Sequence, residues 1–323
     1  MTILQAPRAL ESDRNGDLTL TVARLETLAD GVLAVDLTSG SPLPVWTAGA
    51  HIDLRLDGLV RQYSLCGDPE DEHTYRIAVL RAPDSAGGSA YVHERLRVGD
   101  VVAVSRPRNH FELQPAPSYL FIAGGIGITP ILAMIRAAER QSAEWRLLYG
   151  GRTLASMAFR DELSRHGDRV RLQPEDETGL LDLESALGTP LPGTLVYCCG
   201  PESLLTAVER HCQAWPGGSL HTERFTPRTD LDDSADTAFE VEFRRSGVTA
   251  HVPTGTSVLA VAREHGIDLD SSCTSGVCGT CESKVIEGEP DHRDSVLTDS
   301  DRDEGYFMPC VSRCRSGRLV LDL

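Results

Sequence analysis

The chain has 323 residues, enough for two or three domains with separate cores, and its 41% hydrophobic and 24% charged content is that of an ordinary globular protein. A formal charge of −17 with no basic stripe excludes nucleic-acid binding, because counterion release from phosphate needs clustered Lys and Arg; the acidity suits solubility or a basic protein partner. MTILQAPRALESDRNGD has no cationic flank leading into an apolar core, and nine cysteines make no paired framework, so a cytoplasmic protein with reduced thiols and no membrane span is expected.

From Asp17 to Gln114 the pattern is short alternating runs, DLTLTVARL, VLAVDLTS, HIDLRL, YRIAVLRA and DVVAVS, separated by turn residues. Period-two alternation at this spacing predicts an antiparallel barrel or sandwich. Arg61-Gln62-Tyr63-Ser64 lies on one of its strands, and Gly87-Gly88-Ser89 opens a short helix running to about Leu96. An arginine, a hydroxyl and a glycine-led helix start suit an anionic phosphate, and a tyrosine beside them can lie along an aromatic ring. Taken alone, RxYS is more often an ordinary strand than a flavin site.

The character changes between Ser118 and Arg228. Tyr119-Leu-Phe-Ile-Ala is an unbroken apolar run suited to a buried parallel strand, followed by Gly124-Gly125-Ile126-Gly127-Ile128-Thr129-Pro130 and the helix ILAMIRAAERQ. Strand, glycine turn and helix start form a nucleotide-binding arrangement, although not a strict GxGxxG. WRLLYG, RVRLQP and TLVYCCG read as further strands, alternating with helices around Ala158 to His166 and Ser203 to Ala214. A parallel-sheet α/β domain follows. Cys199-Gly200-Pro201 ends one of these strands, where ligands bind in open α/β sheets; from position alone Cys199 reads better as a small buried thiol.

Thr226 to Asp236 carries proline and four aspartates and reads as an exposed linker. FEVEF and VTAHVP then form a hairpin, Ser257 to His265 a short helix closed by Gly266, and ESKVIEG a strand before a last pair around CVSRC and RLVLDL. Between them lies Cys273-Thr-Ser-Gly-Val-Cys278-Gly-Thr-Cys281, answered by Cys310. C-x4-C-x2-C with a distant fourth cysteine is the ligand spacing of a plant-type 2Fe-2S cluster. Gly276 and Gly279 let the chain wrap tightly enough for backbone N–H groups to reach the sulfurs. A zinc site or a redox dithiol is the alternative, and for either only Cys278 and Cys281 have the right spacing. Cys66, Cys198, Cys199, Cys212 and Cys314 are left as thiols. Cys310 and Cys314 would lie roughly 13 Å apart on an extended strand, at about 3.3 Å per residue, so both cannot bind one iron. Cys310, following Pro309 where the chain can bend, is the expected ligand.

In this order, RQYSL, GGS, GGIGITP, YGGR, CGP, HTERF and C-x4-C-x2-C resemble the phthalate dioxygenase reductase family over nearly the whole chain. The resemblance implies an FMN-binding Greek-key barrel over 1–115, an NAD-binding domain over 116–228, a linker over 229–237 and a β-grasp plant-type ferredoxin domain over 238–323. It implies electron transfer from NADH through FMN and a 2Fe-2S cluster to a Rieske-type oxygenase. Reductases of haem or di-iron monooxygenases, and a non-enzymatic electron carrier or sensor, are the other readings. Arg61, Gln62, Tyr63 and Ser64 would then contact the flavin, with Gly87, Gly88 and Ser89 near its phosphate. Gly124, Gly125, Gly127, Thr129, Cys199 and Gly200 would face the nicotinamide nucleotide, and Phe225 would cover the flavin ring. MPCVSR matches the family's final ligand motif. Nicotinamide gives up electrons in pairs and a 2Fe-2S cluster takes them singly, so a flavin between them is required. No side chain need act as acid or base, and no catalytic residue is assigned. Carboxylates in Pro174-Glu175-Asp176-Glu177 would repel a 2′-phosphate and favour NADH, with Arg152 the opposing feature.

Overall fold

The computed structural model describes residues 17–82, 87–227 and 236–323, and the chain packs as two compact units, 1–223 and 224–323. Most of the expected linker, 229–237, lies outside the described residues.

The first unit begins with β1 (Leu18–Ala29), β2 (Val32–Thr38), β3 (His51–Leu56), β4 (Leu59–Ser64), β5 (Thr74–Leu80), α1 (Gly88–Glu94) and β6 (Val101–Val104). The strands are antiparallel in the order β4-β3-β6-β1-β2-β5, and a bridge between Leu65 and Ile77 joins the outer two, closing a Greek-key barrel. Alternation sets the faces: Leu18, Leu20 and Val22 of β1 are buried while Thr19, Thr21 and Ala23 are exposed. Each buried aliphatic side chain contributes about 1.5 to 3 kcal/mol. Asp57-Gly58, with φ of 46° and 79°, makes the two-residue hairpin turn that fixes β4 on β3.

The same unit continues with β7 (Ser118–Gly124), α2 (Ile128–Arg140), β8 (Glu144–Gly151), α3 (Arg160–Leu163), β9 (Val170–Pro174), α4 (Glu175–Thr178), α5 (Leu183–Leu187), β10 (Thr194–Cys199), α6 (Glu202–His211) and β11 (Leu220–Glu223). The strands are parallel, ordered β11-β10-β7-β8-β9. Ile131, Leu132 and Ile135 of α2 pack into the larger core, and Leu183, Leu205 and Val208 of α5 and α6 into another with Ile122, Leu148 and Val196. Apolar cover on both faces is why these strands read as continuous hydrophobic runs. The helix after the glycine turn starts at Ile128, three residues earlier than ILAMIRAAERQ suggests, because Thr129 Oγ1 bonds back to Ile126 O at 3.0 Å and closes the first turn.

The second unit holds β12 (Phe239–Phe243), β13 (Val248–Val252), α7 (Val258–Glu264), β14 (Ser283–Glu287), β15 (Pro290–Asp291), α8 (Asp299–Asp303), β16 (Tyr306–Phe307), β17 (Arg313–Cys314) and β18 (Arg318–Leu321). A mixed sheet ordered β13-β12-β18-β14-β16 carries α7 across it, the β-grasp arrangement. Ser257 caps α7 by accepting the Ala260 N–H at 3.1 Å. One expectation is corrected. CVSRC does not form an extended strand paired with RLVLDL: residues 309–311 are a turn, β17 pairs with β15, and β18 lies between β12 and β14. Among the described residues no helix is long and apolar enough to cross a membrane.

Candidate functional site

Arg61, Gln62, Tyr63 and Ser64 all lie on β4. Arg61 runs along α1, where a Cβ on Gly88 would collide with its Cγ, so glycine is needed for the close approach of helix and arginine. Gly87, at φ 95°, caps the helix, and Ser89 Oγ accepts the Ala82 N–H at 3.2 Å. Tyr63 packs against the barrel core, and burial pushes its phenol up to about 12, so it is neutral. Gln62 and Ser64 share the other side of the strand with their register partners Asp53 and His51. Asp53, 2% exposed, accepts from Gln62 Nε2 at 3.2 Å and Arg108 Nη2 at 2.7 Å, a pair of contacts no sequence motif announced.

The α/β sheet reverses strand order between β7 and β10, and in open sheets that switch point is where ligands bind, outside the carboxyl ends of the strands. Both glycine motifs are there. A Cβ on Gly124 would lie 2.7 Å from Pro201 Cδ, and one on Gly200 would lie 3.0 Å from Gly124 Cα, so the GGIGITP turn and the CGP loop meet backbone to backbone. Gly127 packs as tightly on Cys199 O, while the open side of Gly125 has no atom within 4 Å. Thr129 is buried in the first turn of α2.

Cys199 closes β10 and is fully buried; burial first, then the neighbouring Glu223, raise its thiol well above the ordinary range. Its Sγ donates to Glu223 Oε2 at 3.8 Å. Burial pushes Glu223 up to about 8, against an ordinary 4.5. Glu223 was not singled out in the sequence, although alternation along HTE puts it on the face of its register partner Cys199, with His221 beside Tyr197. Because its folded pKa is raised, Glu223 contributes stability fully present below 4.5 and lost as pH rises through about 8. Glu223→Gln is expected to flatten the fall in melting temperature across that window; an unchanged slope in a thermal scan at stepped pH would remove Glu223 as its source. Phe225 is 41% exposed and follows Glu223 by two residues.

The second unit gathers the cysteines. Cys273 Sγ is within hydrogen-bonding reach of Cys278 and Cys310, and Cys281 of Cys310. Sharing protons this way drives Cys273 and Cys281 down and Cys278 and Cys310 up. The Ser275 N–H points at Cys273 Sγ from 3.3 Å and the Thr280 N–H at Cys278 Sγ from 3.4 Å, so each of these sulfurs has a backbone donor aimed at it. Among the described residues no three metal-ligating side chains surround a single-ion position. The four sulfurs form one connected group, Cys278–Cys273–Cys310–Cys281, and this all-thiol donor set fits the ligands of an iron-sulfur cluster. Ser272 and Ser295 add buried hydroxyls with no hydrogen-bond partner, which a cluster's sulfur would supply. Cys314 belongs elsewhere, in the sheet core with Phe239 and Leu319, its Sγ donating to Arg318 O at 3.2 Å.

Known proteins match this division. The 2Fe-2S iron-sulfur cluster binding domain matches residues 241–315, and the oxidoreductase NAD-binding domain residues 121–210. Phthalate dioxygenase reductase of Burkholderia cepacia is 38% identical over 318 residues, covering 96% of this chain and 98% of its own. This chain belongs to the phthalate dioxygenase reductase family. A solved phthalate dioxygenase reductase, described as a modular structure for electron transfer from pyridine nucleotides to 2Fe-2S, superposes with a TM-score of 0.70 at 38% identity over 96% of this chain and 98% of that one. An intact type IV self-sufficient cytochrome P450 monooxygenase superposes at 0.91 with 44% identity over 95% of this chain, which spans 41% of that longer protein. Within the family the two units thus correspond to a reductase half and an iron-sulfur half.

Proposed function

We propose that the protein is the cytoplasmic reductase component of an oxygenase system, moving electrons from NADH through FMN and a 2Fe-2S cluster to a separate terminal oxygenase of the Rieske type. The observation that carries this is the presence on one chain of two glycine motifs meeting at the β7/β10 switch point and a connected set of four thiols. When bound, the flavin takes the electron pair of NADH and the cluster accepts electrons singly. Everything else is geometry supplied by the chain.

Arg61, Gly87, Gly88 and Ser89 would hold the flavin phosphate, Arg61 offering a charge-assisted contact; Tyr63 would lie along the ring, with Gln62 and Ser64 supporting β4 from its other side. Gly124, Gly125, Gly127 and Thr129 would seat the nucleotide at the start of α2, with Cys199 and Gly200 forming the end of β10 behind the nicotinamide, the buried Cys199 thiol staying neutral. Cys273, Cys278, Cys281 and Cys310 ligate the cluster. The barrel over 1–115, the α/β domain over 116–228 and the iron-sulfur domain over 238–323 form the relay. A haem monooxygenase is the second reading of the partner, favoured by the superposition on the self-sufficient P450.

The test is a visible spectrum of the purified protein before and after anaerobic NADH. Flavin and broad iron-sulfur absorption are expected together, both bleached by NADH. Flavin without cluster absorption, or a loaded protein that NADH leaves oxidised, would count against the reading.

A further inference from the structure

Asp294 is the only acidic residue of the second unit, among those described, with 0% exposure. It lies between β15 and α8, and its Oδ2 accepts the N–H groups of Val296 at 3.2 Å and Leu297 at 2.9 Å. Oδ1 accepts from Ser312 Oγ at 3.4 Å. His292 Nδ1 stands 3.8 Å from Oδ1 and Arg302 Nη2 3.9 Å from Oδ2. A buried carboxylate is costly unless its contacts are used, and an apolar residue would serve a small core at least as well.

The contacts reach both halves of the thiol site. Ser312 comes two residues after Cys310, and its Oγ also accepts the Arg293 N–H at 3.1 Å. On the other side, Ser295 N–H donates to Gly276 O at 2.9 Å, within the loop between Cys273 and Cys278. Gly276, at φ 74°, comes so close that a Cβ there would lie 3.1 Å from Asp294 Cα. Asp294 therefore bonds the turn of the last cysteine through Ser312, while the next residue, Ser295, bonds the wrapping loop, so this short segment joins the two. Burial works against its ionisation, but the neighbouring His292, the Leu297 N–H and the Arg302 charge outweigh it and hold the carboxyl below its ordinary range. The charge is fixed.

We propose that Asp294 is a positioning residue of the iron-sulfur centre, joining the loop of Cys273 and Cys278 to the turn of Cys310 and keeping the centre's reduction potential low by its buried negative charge. Reduction adds one negative charge to the centre, which a nearby carboxylate in a low-dielectric interior opposes. The inference rests on the four-thiolate reading above.

Redox titration of the full-length holoprotein, followed by electron paramagnetic resonance, tests it. Asp294→Asn keeps the size and one acceptor oxygen while removing the charge. It is expected to raise the potential by about a tenfold change in the one-electron equilibrium, about 59 mV, with altered g-values. Arg302→Gln removes a compensating positive charge and is expected to shift the potential the other way. An unchanged potential and signal in iron-loaded Asp294→Asn, with only a lower melting temperature, would overturn the proposal and leave a structural carboxylate. If that variant retains no iron, Arg302→Gln decides alone: a lowered potential supports the proposal and an unchanged one overturns it. Absence of cluster absorption in the unaltered protein would instead overturn the four-thiolate reading, so the two failures are distinct.

Discussion

Ending the chain at Asp236 is expected to leave NADH-dependent reduction of ferricyanide and abolish electron delivery to the oxygenase. The cut breaks no sheet. β11, the last strand of the α/β sheet, ends at Glu223, and every strand of the iron-sulfur unit lies between Phe239 and Leu321. The barrel and α/β cores are built wholly from residues before that point. All residues proposed to hold flavin and nucleotide, including Phe225, stay in the shortened protein, whereas all four thiols leave with the removed segment. The shortened protein can therefore accept the electron pair and pass it to a small acceptor that reaches the flavin. A protein acceptor that takes its electrons from the iron-sulfur unit receives none. The measurement is oxygenase turnover with purified components beside ferricyanide reduction by the same preparation. Oxygenase turnover sustained by the shortened protein would make the flavin the exit and refute the relay order.

How legible this was in the sequence depended on the range of the signal. Strands with strict alternation, such as Leu18 to Val22, or with apolar runs, such as Tyr119 to Ala123, showed themselves because burial on one face or two leaves a local periodic trace. The glycine motifs were legible for a related reason: only residues without Cβ allow the backbone contact that joins Gly124 to Gly200. Asp53, Glu223 and Asp294 left no such trace. Each is an acid whose role comes from partners across the fold, Arg108, Cys199 and Ser312, and a lone carboxylate in sequence looks like any solvated one. The segment from Pro309 to Ser312 departs from its local preference for the opposite reason. Its β-prone residues suggest an extended strand, but the turn hydrogen bonds from the Val311 and Ser312 N–H groups to Met308 O, at 3.2 and 2.9 Å, outweigh that local preference.

That turn changes the basis on which Cys310 and Cys314 are told apart. Separation along an extended strand no longer applies; surroundings do. Cys310 packs with Cys281, Leu259, Leu297 and Met308, and the turn holding it is anchored by Leu259 N–H donating to Pro309 O at 2.9 Å. Cys314 packs with Phe239, Val241 and Leu319 in the sheet core, and its thiol proton is engaged by Arg318 O. A thiol that donates to a carbonyl in an apolar core is a small hydrophobe, not an iron ligand. Cys314→Ala is expected to cost about 1 kcal/mol in stability, from one weak hydrogen bond and a small cavity, and to leave the visible spectrum unchanged. Cys310→Ala removes a thiolate with no substitute among its neighbours and is expected to lose the iron-sulfur absorption while keeping that of the flavin, because no flavin-binding candidate lies after Phe225. Iron content and the visible spectrum of the two purified variants, measured side by side, separate the assignments. Cluster absorption retained in Cys310→Ala and lost in Cys314→Ala would exchange their roles.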